Sequence, residues 1–263
     1  MWQRRTVKIR RLIDLSLPLG PQTQMYPGDP APRTRSAATV SVDGYATSTV
    51  TMGSHSGTHV DAPCHVTPSG RPIDTVDLAL FAGTAVVVPL TELPPRTPIT
   101  PEHLGAVIDL LTPDAIVLLH TGWSRHYGTA EYFDHPYLAP EACRELLDHG
   151  VRAIGIDAPS IDPSPGTTTG SEDLSVDRRG TPTGAAPDAP PPQESPAPGD
   201  EAGVGAADLP AHRLVAEADG VIIENLCRLD QLDFAEPFVT VFPLPWAAAD
   251  GSPVRAVAMD LLP

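Results

Sequence analysis

Three short apolar runs, Thr84 to Pro89, Ala115 to His120 and Val151 to Asp157, are each bounded by turn signals. This is the pattern of strands buried on both faces. Helical patterns alternate with them. Thr100-Pro101-Glu102 offers an N-cap and a first-turn proline ahead of His103 to Leu111. Pro140 to His149 ends at Gly150, and Ala211 to Ala218 follows Pro210 and stops before Gly220. Leu12 to Leu17 and Thr39 to Val50 read as further strands by alternation or β-branched content. The class this implies is α/β, without internal repeats.

One stretch departs from that pattern. From Pro163 to Pro210 the chain carries ten Pro and seven Gly in 48 residues, above the ~25–30% at which compositional disorder is the default. Its large aliphatic residues are only Leu174, Val176, Val204 and Leu209, too little apolar surface to offset the entropy of ordering. We therefore expect one domain over residues 1–263, interrupted at 164–208 by a flexible acidic insertion that acts as a spacer or as a lid.

The formal charge is −16 and Lys8 is the single lysine. Such a field repels nucleic acid and anionic membrane surfaces. The longest apolar stretch, Phe81 to Leu90, falls short of the ~18 residues a membrane span needs, and no apolar signal segment follows the basic N-terminus. Cys64, Cys143 and Cys227 are too scattered for a disulfide framework or a metal knuckle. The expectation is a soluble, cytoplasmic protein whose partner is a small molecule.

The chemistry concentrates in His55-Ser-Gly57-Thr58-His59-Val-Asp61-Ala-Pro63-Cys-His65. Positions 55, 59, 61 and 65 share one parity, so an extended backbone points all four side chains the same way. A helix cannot gather them, because Asp61 would sit about 240° around from His55, and Pro63 opposes a helix interior. Cys64 has the opposite parity and reads as an inert thiol pointing away. Two imidazoles and a carboxylate suit Zn²⁺, Mn²⁺ or Fe²⁺; a polar loop with backbone-capping histidines is the plainer alternative. Further on, Glu224 interrupts an apolar strand, Val221 to Leu226. A carboxylate buried there needs a metal or an Arg partner. His212 opens the preceding helical segment; an exposed histidine and an edge-strand glutamate are the alternative for that pair. His120, at a strand end beside Thr121-Gly122-Trp123, is a weaker pocket candidate.

The first motif resembles the His-x-Gly-Thr-His-x-Asp-x-Pro-x-His signature of the metal-dependent cyclase-like hydrolases, the group containing bacterial kynurenine formamidase and isatin hydrolase. Shorter segments follow in that family's order: Tyr26-Pro27-Gly28-Asp29, Leu119 to Trp123, Gly155 to Asp162, His212 with Glu224, and Asp250 to Arg255. The resemblance implies a swivelling β/β/α-type single domain with a mixed sheet, in a homodimer or larger homo-oligomer. It implies that His55, His59 and Asp61 bind one divalent ion, Zn²⁺ first and Mn²⁺ second. His212 would bind another, with Asp61 and Glu224 bridging, His65 would transfer protons, and Tyr26 would line an aromatic pocket. The implied reaction is attack of metal-activated water on a small aryl amide or formamide, such as N-formylkynurenine in tryptophan catabolism. A cyclase or lyase of secondary metabolism, or a non-catalytic small-molecule binder, fits the same ligands. Tyr26 stands where the kynurenine-type enzymes usually carry Trp, which alters the pocket.

Overall fold

A computed structural model describes residues 7–165 and 208–262. Residues 166–207 of the expected insertion lie outside the described residues. Nine strands form one mixed sheet. At its centre β5 (Ala82–Pro89), β7 (Ile116–His120), β9 (Ala153–Ile156) and β10 (Val221–Glu224) run parallel. On one side of this block lie β11 (Phe238–Thr240), β13 (Val257–Leu262) and β1 (Lys8–Asp14), each antiparallel to its neighbour. On the other side β10 pairs antiparallel with β4 (His59–Asp61), which pairs with β12 (Gly251–Pro253). Two small two-stranded sheets complete the set: β2 (Arg33–Ala38) with β3 (Thr47–Thr51), and β6 (Pro98–Ile99) with β8 (Tyr137–Leu138).

The parallel strands are apolar at consecutive positions because both faces are covered. Val117, Leu119, Ile154, Ile156 and Ile222 pack on one side with Ala142, Cys143 and Leu146 of α3 (Pro140–Asp148) and with Ala211 and Val215 of α4 (Pro210–Glu217). Ile116, Leu118, Val221 and Ile223 point to the other side and meet Ile13, Leu15, Phe81 and Val239. Each fully buried Leu or Ile contributes about 1.5–3 kcal/mol. The mixed α/β architecture expected from the sequence is the one observed, and among the described residues no helix is long and apolar enough to cross a membrane.

Three local expectations change. Thr39 to Val50 is not one strand: Val40–Asp43 form α1, and Gly44, with φ 76°, turns the chain into β3. The helix expected over His103 to Leu111 is only α2 (Pro101–Leu104), followed by a separate 3₁₀ turn at Ile108–Leu110. The strand expected over Leu12 to Leu17 lies earlier, as β1. The β2–β3 hairpin keeps almost all its residues exposed, Val40, Val42, Tyr45 and Val50 included.

Candidate metal centre

Of the four motif side chains, only His59 and Asp61 reach the site on a strand. The expectation that one extended run carries positions 55 to 65 fails at both ends. Gly57 takes a left-handed φ of 63°, so the chain turns just before β4 and folds His55 back over it. After Asp61, Pro63 starts a 3₁₀ turn, Pro63–His65, which brings His65 round. Cys64 sits in that turn half-exposed, its thiol near the Ala249 carbonyl and raised in pKa by burial and the nearby Asp250 charge. The loop is tied down through Thr58, whose hydroxyl donates to the Asn225 carbonyl (2.6 Å) and accepts from the Leu17 amide (2.9 Å).

The sheet supplies the other half. In the β4–β10 pair Glu224 lies opposite His59, and such cross-strand neighbours share a face. α4, whose chain leads back into β10, presents His212 from its first turn. His59, Asp61, His212 and Glu224 are all buried, so the exposed-histidine and edge-glutamate alternative does not describe them. Asp61 holds the centre. Its Oδ1 lies 2.7 Å from His55 Nδ1 and 3.2 Å from His59 Nε2, and its Oδ2 lies 3.4 Å from His212 Nε2. Glu224 spans the same two sides, with Oε2 3.6 Å from His59 Nε2 and Oε1 3.3 Å from His212 Nε2.

Each imidazole has its second nitrogen fixed from outside. His59 Nδ1 donates to the Gly57 carbonyl at 2.7 Å. His212 Nδ1 faces Asp162 Oδ2 at 2.7 Å, and the same carboxylate accepts the Ala211 and His212 amides at the start of α4. His55 Nε2 faces Asp250 Oδ2 at 3.0 Å. Outer acceptors of this kind orient metal-bound histidines and leave the inner nitrogen free.

The residues fit a divalent cation. Ligand atoms about 2.0–2.2 Å from a tetrahedral Zn²⁺ lie about 3.3–3.6 Å apart, and most of the inner distances fall in or next to that range. Groups drawn from His55, His59, Asp61, His65, His212 and Asp250 place their ligand atoms within 4.8 Å of one another. Among the described residues, the buried side-chain polar atoms with no hydrogen-bond partner are Ser56 Oγ and Asp61 Oδ2, both in this loop. Such orphans call for a bound water or ion. Without a cation, protons balance the site: burial opposes the His55 imidazolium, but Asp61 and Asp250 hold its pKa up to about 10. His59 and His212 are raised too, their carboxylate neighbours outweighing burial. Burial pushes Asp61 up, and the imidazoles pull it well below its usual value. These are the protons a divalent ion displaces on binding.

His65 stands on the solvent side, its ring 4.1 Å from that of His55 and 6.0 Å from that of His212. Tyr26 is half-buried, edge-on to Phe133 at 6.1 Å and close enough to Glu224 and His212 to feel their charges. The structure thus brings together His55, His59, Asp61, His65, His212 and Glu224, with Tyr26 beside them. His120 joins none of these clusters, and Trp123 is buried in the core. Two carboxylates at the centre, Asp162 and Asp250, were not singled out in the sequence. There they stand only as ends of the family-like segments Gly155 to Asp162 and Asp250 to Arg255; in the structure the close approach betrays Asp250, since a Cβ on Gly251 would lie 2.8 Å from His55 Cε1.

A mixed α/β sheet carries a buried His/carboxylate cluster whose side chains could hold a metal ion. Residues 13–163 match the family described as "Putative cyclase", and the chain belongs to that family. Isatin hydrolase A from Labrenzia aggregata, bound to benzyl benzoate, has the same fold: TM-score 0.72, 23% identity, covering 96% of this chain and 93% of that one. Isatin hydrolase A from Ralstonia solanacearum superposes at 0.72 with 21% identity, over 95% of this chain and 91% of that one. A structure described as a potential metal-dependent hydrolase with cyclase activity gives 0.63 and 22%, over 97% and 100%.

Proposed function

We propose that this chain is a metal-dependent hydrolase acting on an amide whose nitrogen is carried by an aromatic ring, either an aryl formamide or a cyclic aryl amide. The observation that carries the reading is Asp61 Oδ2, buried without a hydrogen bond among imidazole nitrogens whose far sides are already tied down. His55, His59 and Asp61 would hold one ion, Zn²⁺ or Mn²⁺, and His212 would hold a second, with Asp61 and Glu224 available to both. The descriptions of the fold neighbours as isatin hydrolase and metal-dependent hydrolase support hydrolysis over simple binding.

Divalent ions supply Lewis acidity to a carbonyl and lower the pKa of water towards ~7. The chain's own residues do the rest. The outer acceptors Asp162, Asp250 and Gly57 keep the ligands in one orientation. His65, at the open side of the cluster, takes the proton of the attacking water and returns it to the departing nitrogen. A pure binding protein has no use for that residue. Tyr26 and Phe133 offer an aromatic wall for the aryl ring.

Purified protein loaded with Zn²⁺ or with Mn²⁺, offered N-formylkynurenine and isatin side by side, tests this. Hydrolysis of either supports the reaction type, and the ratio of the two kcat/KM values assigns the linear or the cyclic amide. A loaded, folded protein that opens neither of them, nor a simple acyl aniline, contradicts the reading.

A further inference from the structure

Among the described residues Asp250 pairs with no Arg or Lys, yet it touches two of the site's histidines. Its backbone is pinned one residue before β12, where its carbonyl accepts the Ala62 amide at 2.9 Å. Its Oδ1 accepts the Ser54 hydroxyl at 2.8 Å. Its Oδ2 lies 3.0 Å from His55 Nε2 and 3.4 Å from His65 Nδ1.

We propose that Asp250 is the positioning residue of this site: its single Oδ2 sets the tautomer of both His55 and His65, and so couples the ligand geometry to the proton-transfer residue. The proposal rests on the reading of His65 as the proton carrier. A carboxylate only accepts hydrogen bonds, so each nitrogen that faces it carries the proton. A neutral imidazole has one N–H, which leaves the lone pairs on His55 Nδ1 and His65 Nε2. His55 Nδ1 also faces a carboxylate, 2.7 Å from Asp61 Oδ1, so in the metal-free protein His55 carries a proton on each nitrogen; a metal held by His55 and Asp61 would take the Nδ1 proton's place and leave the proton on Nε2, against Asp250. His65 Nε2 is then the atom that accepts a proton. The rings of the two histidines, tilted by 41° with centroids 4.1 Å apart, hang from the same carboxylate, and Gly251 leaves the room that lets His55 reach it.

Asp250→Asn and Asp250→Ala, compared with the parent protein in the Zn²⁺-loaded state, test this. The amide can turn its oxygen to the imidazoles and its NH₂ to Ser54, so Asp250→Asn keeps the shape and removes the charge. We expect kcat to fall about 10- to 100-fold in Asp250→Ala and less in Asp250→Asn, which keeps an acceptor for both imidazoles, with KM changed less than about threefold. Long-range ¹⁵N NMR of histidine-labelled protein reads the tautomers without turnover. The parent shows His65 protonated at Nδ1, and Asp250→Ala moves that proton to Nε2 or mixes the two. Ser54→Ala, which frees Oδ1 but keeps the carboxylate, gives a smaller loss in the same direction and serves if Asp250→Ala does not fold. A parent His65 protonated at Nε2, or an Asp250→Ala protein with unchanged kcat, overturns the proposal and leaves the metal site untouched. Absence of any hydrolysis by the parent counts against the proposed function instead, and the NMR result still decides the role of Asp250.

Discussion

Replacing His65 by alanine leaves the metal content of the protein unchanged and lowers kcat by about 10²- to 10⁴-fold, the range a positioned acid–base group contributes. The geometry explains why no neighbour takes over. His59 and His212 have one nitrogen fixed by the Gly57 carbonyl or by Asp162, and the other turned inward against Asp61 and Glu224. His55 is closed in the same way between Asp61 and Asp250. His65 is held at Nδ1 alone, by Asp250, and among the described residues its Nε2 makes no hydrogen bond. Steady-state kinetics beside elemental analysis of the same sample reads both halves of the result. Undiminished turnover removes His65 from the mechanism, and a loss of metal makes it a ligand instead.

Asp61→Asn has a different signature. Asp61 offers one oxygen to His55 and His59 and the other to His212, and an amide can supply only one. The variant loses at least one ion per chain, measured by elemental analysis after gel filtration, and activity goes with it. In the metal-free protein the loss is one of stability. Asp61 and two of its three imidazole partners are buried, and removing one member of a buried charged group costs about 3–5 kcal/mol. His55 and His59, raised chiefly by Asp61, and His212, raised first by Asp162 and then by Asp61, then face one another with less compensation. An Asp61→Asn protein that keeps its full metal content contradicts the ligand assignment.

The sheet was legible where local pattern and tertiary fate agree. Ala115 to Leu119 is buried on both faces, and in β5 Ala85 and Val88 are buried with Val86 and Val87 half-buried between them, so each unbroken apolar run is itself the signal of β7 or β5. Thr39 to Val50 misled because its β-branched residues sit on an exposed hairpin with Asp43-Gly44 in the middle, and the turn outranked strand propensity. The helix begun at Pro101 stops at Leu104 because Gly105 follows at once. At the site, shared parity named residues that do converge, but for a reason that holds only for His59 and Asp61. His55 and His65 arrive through the Gly57 turn and the Pro63 turn. Asp250 was out of reach for a different reason. It lies 195 residues from His55, and only the β4–β12 register brings the two together.

The account stands on a cluster that holds divalent ions and needs them for chemistry. The measurement that tests it most directly is turnover of the preferred aryl amide by one protein preparation before chelation, after it, and after titration with Zn²⁺ or Mn²⁺, with bound metal counted at each stage. We predict that activity vanishes with the metal and returns as two ions per chain are restored. Turnover that persists in metal-free protein, or a folded chain that takes up no ion, contradicts it.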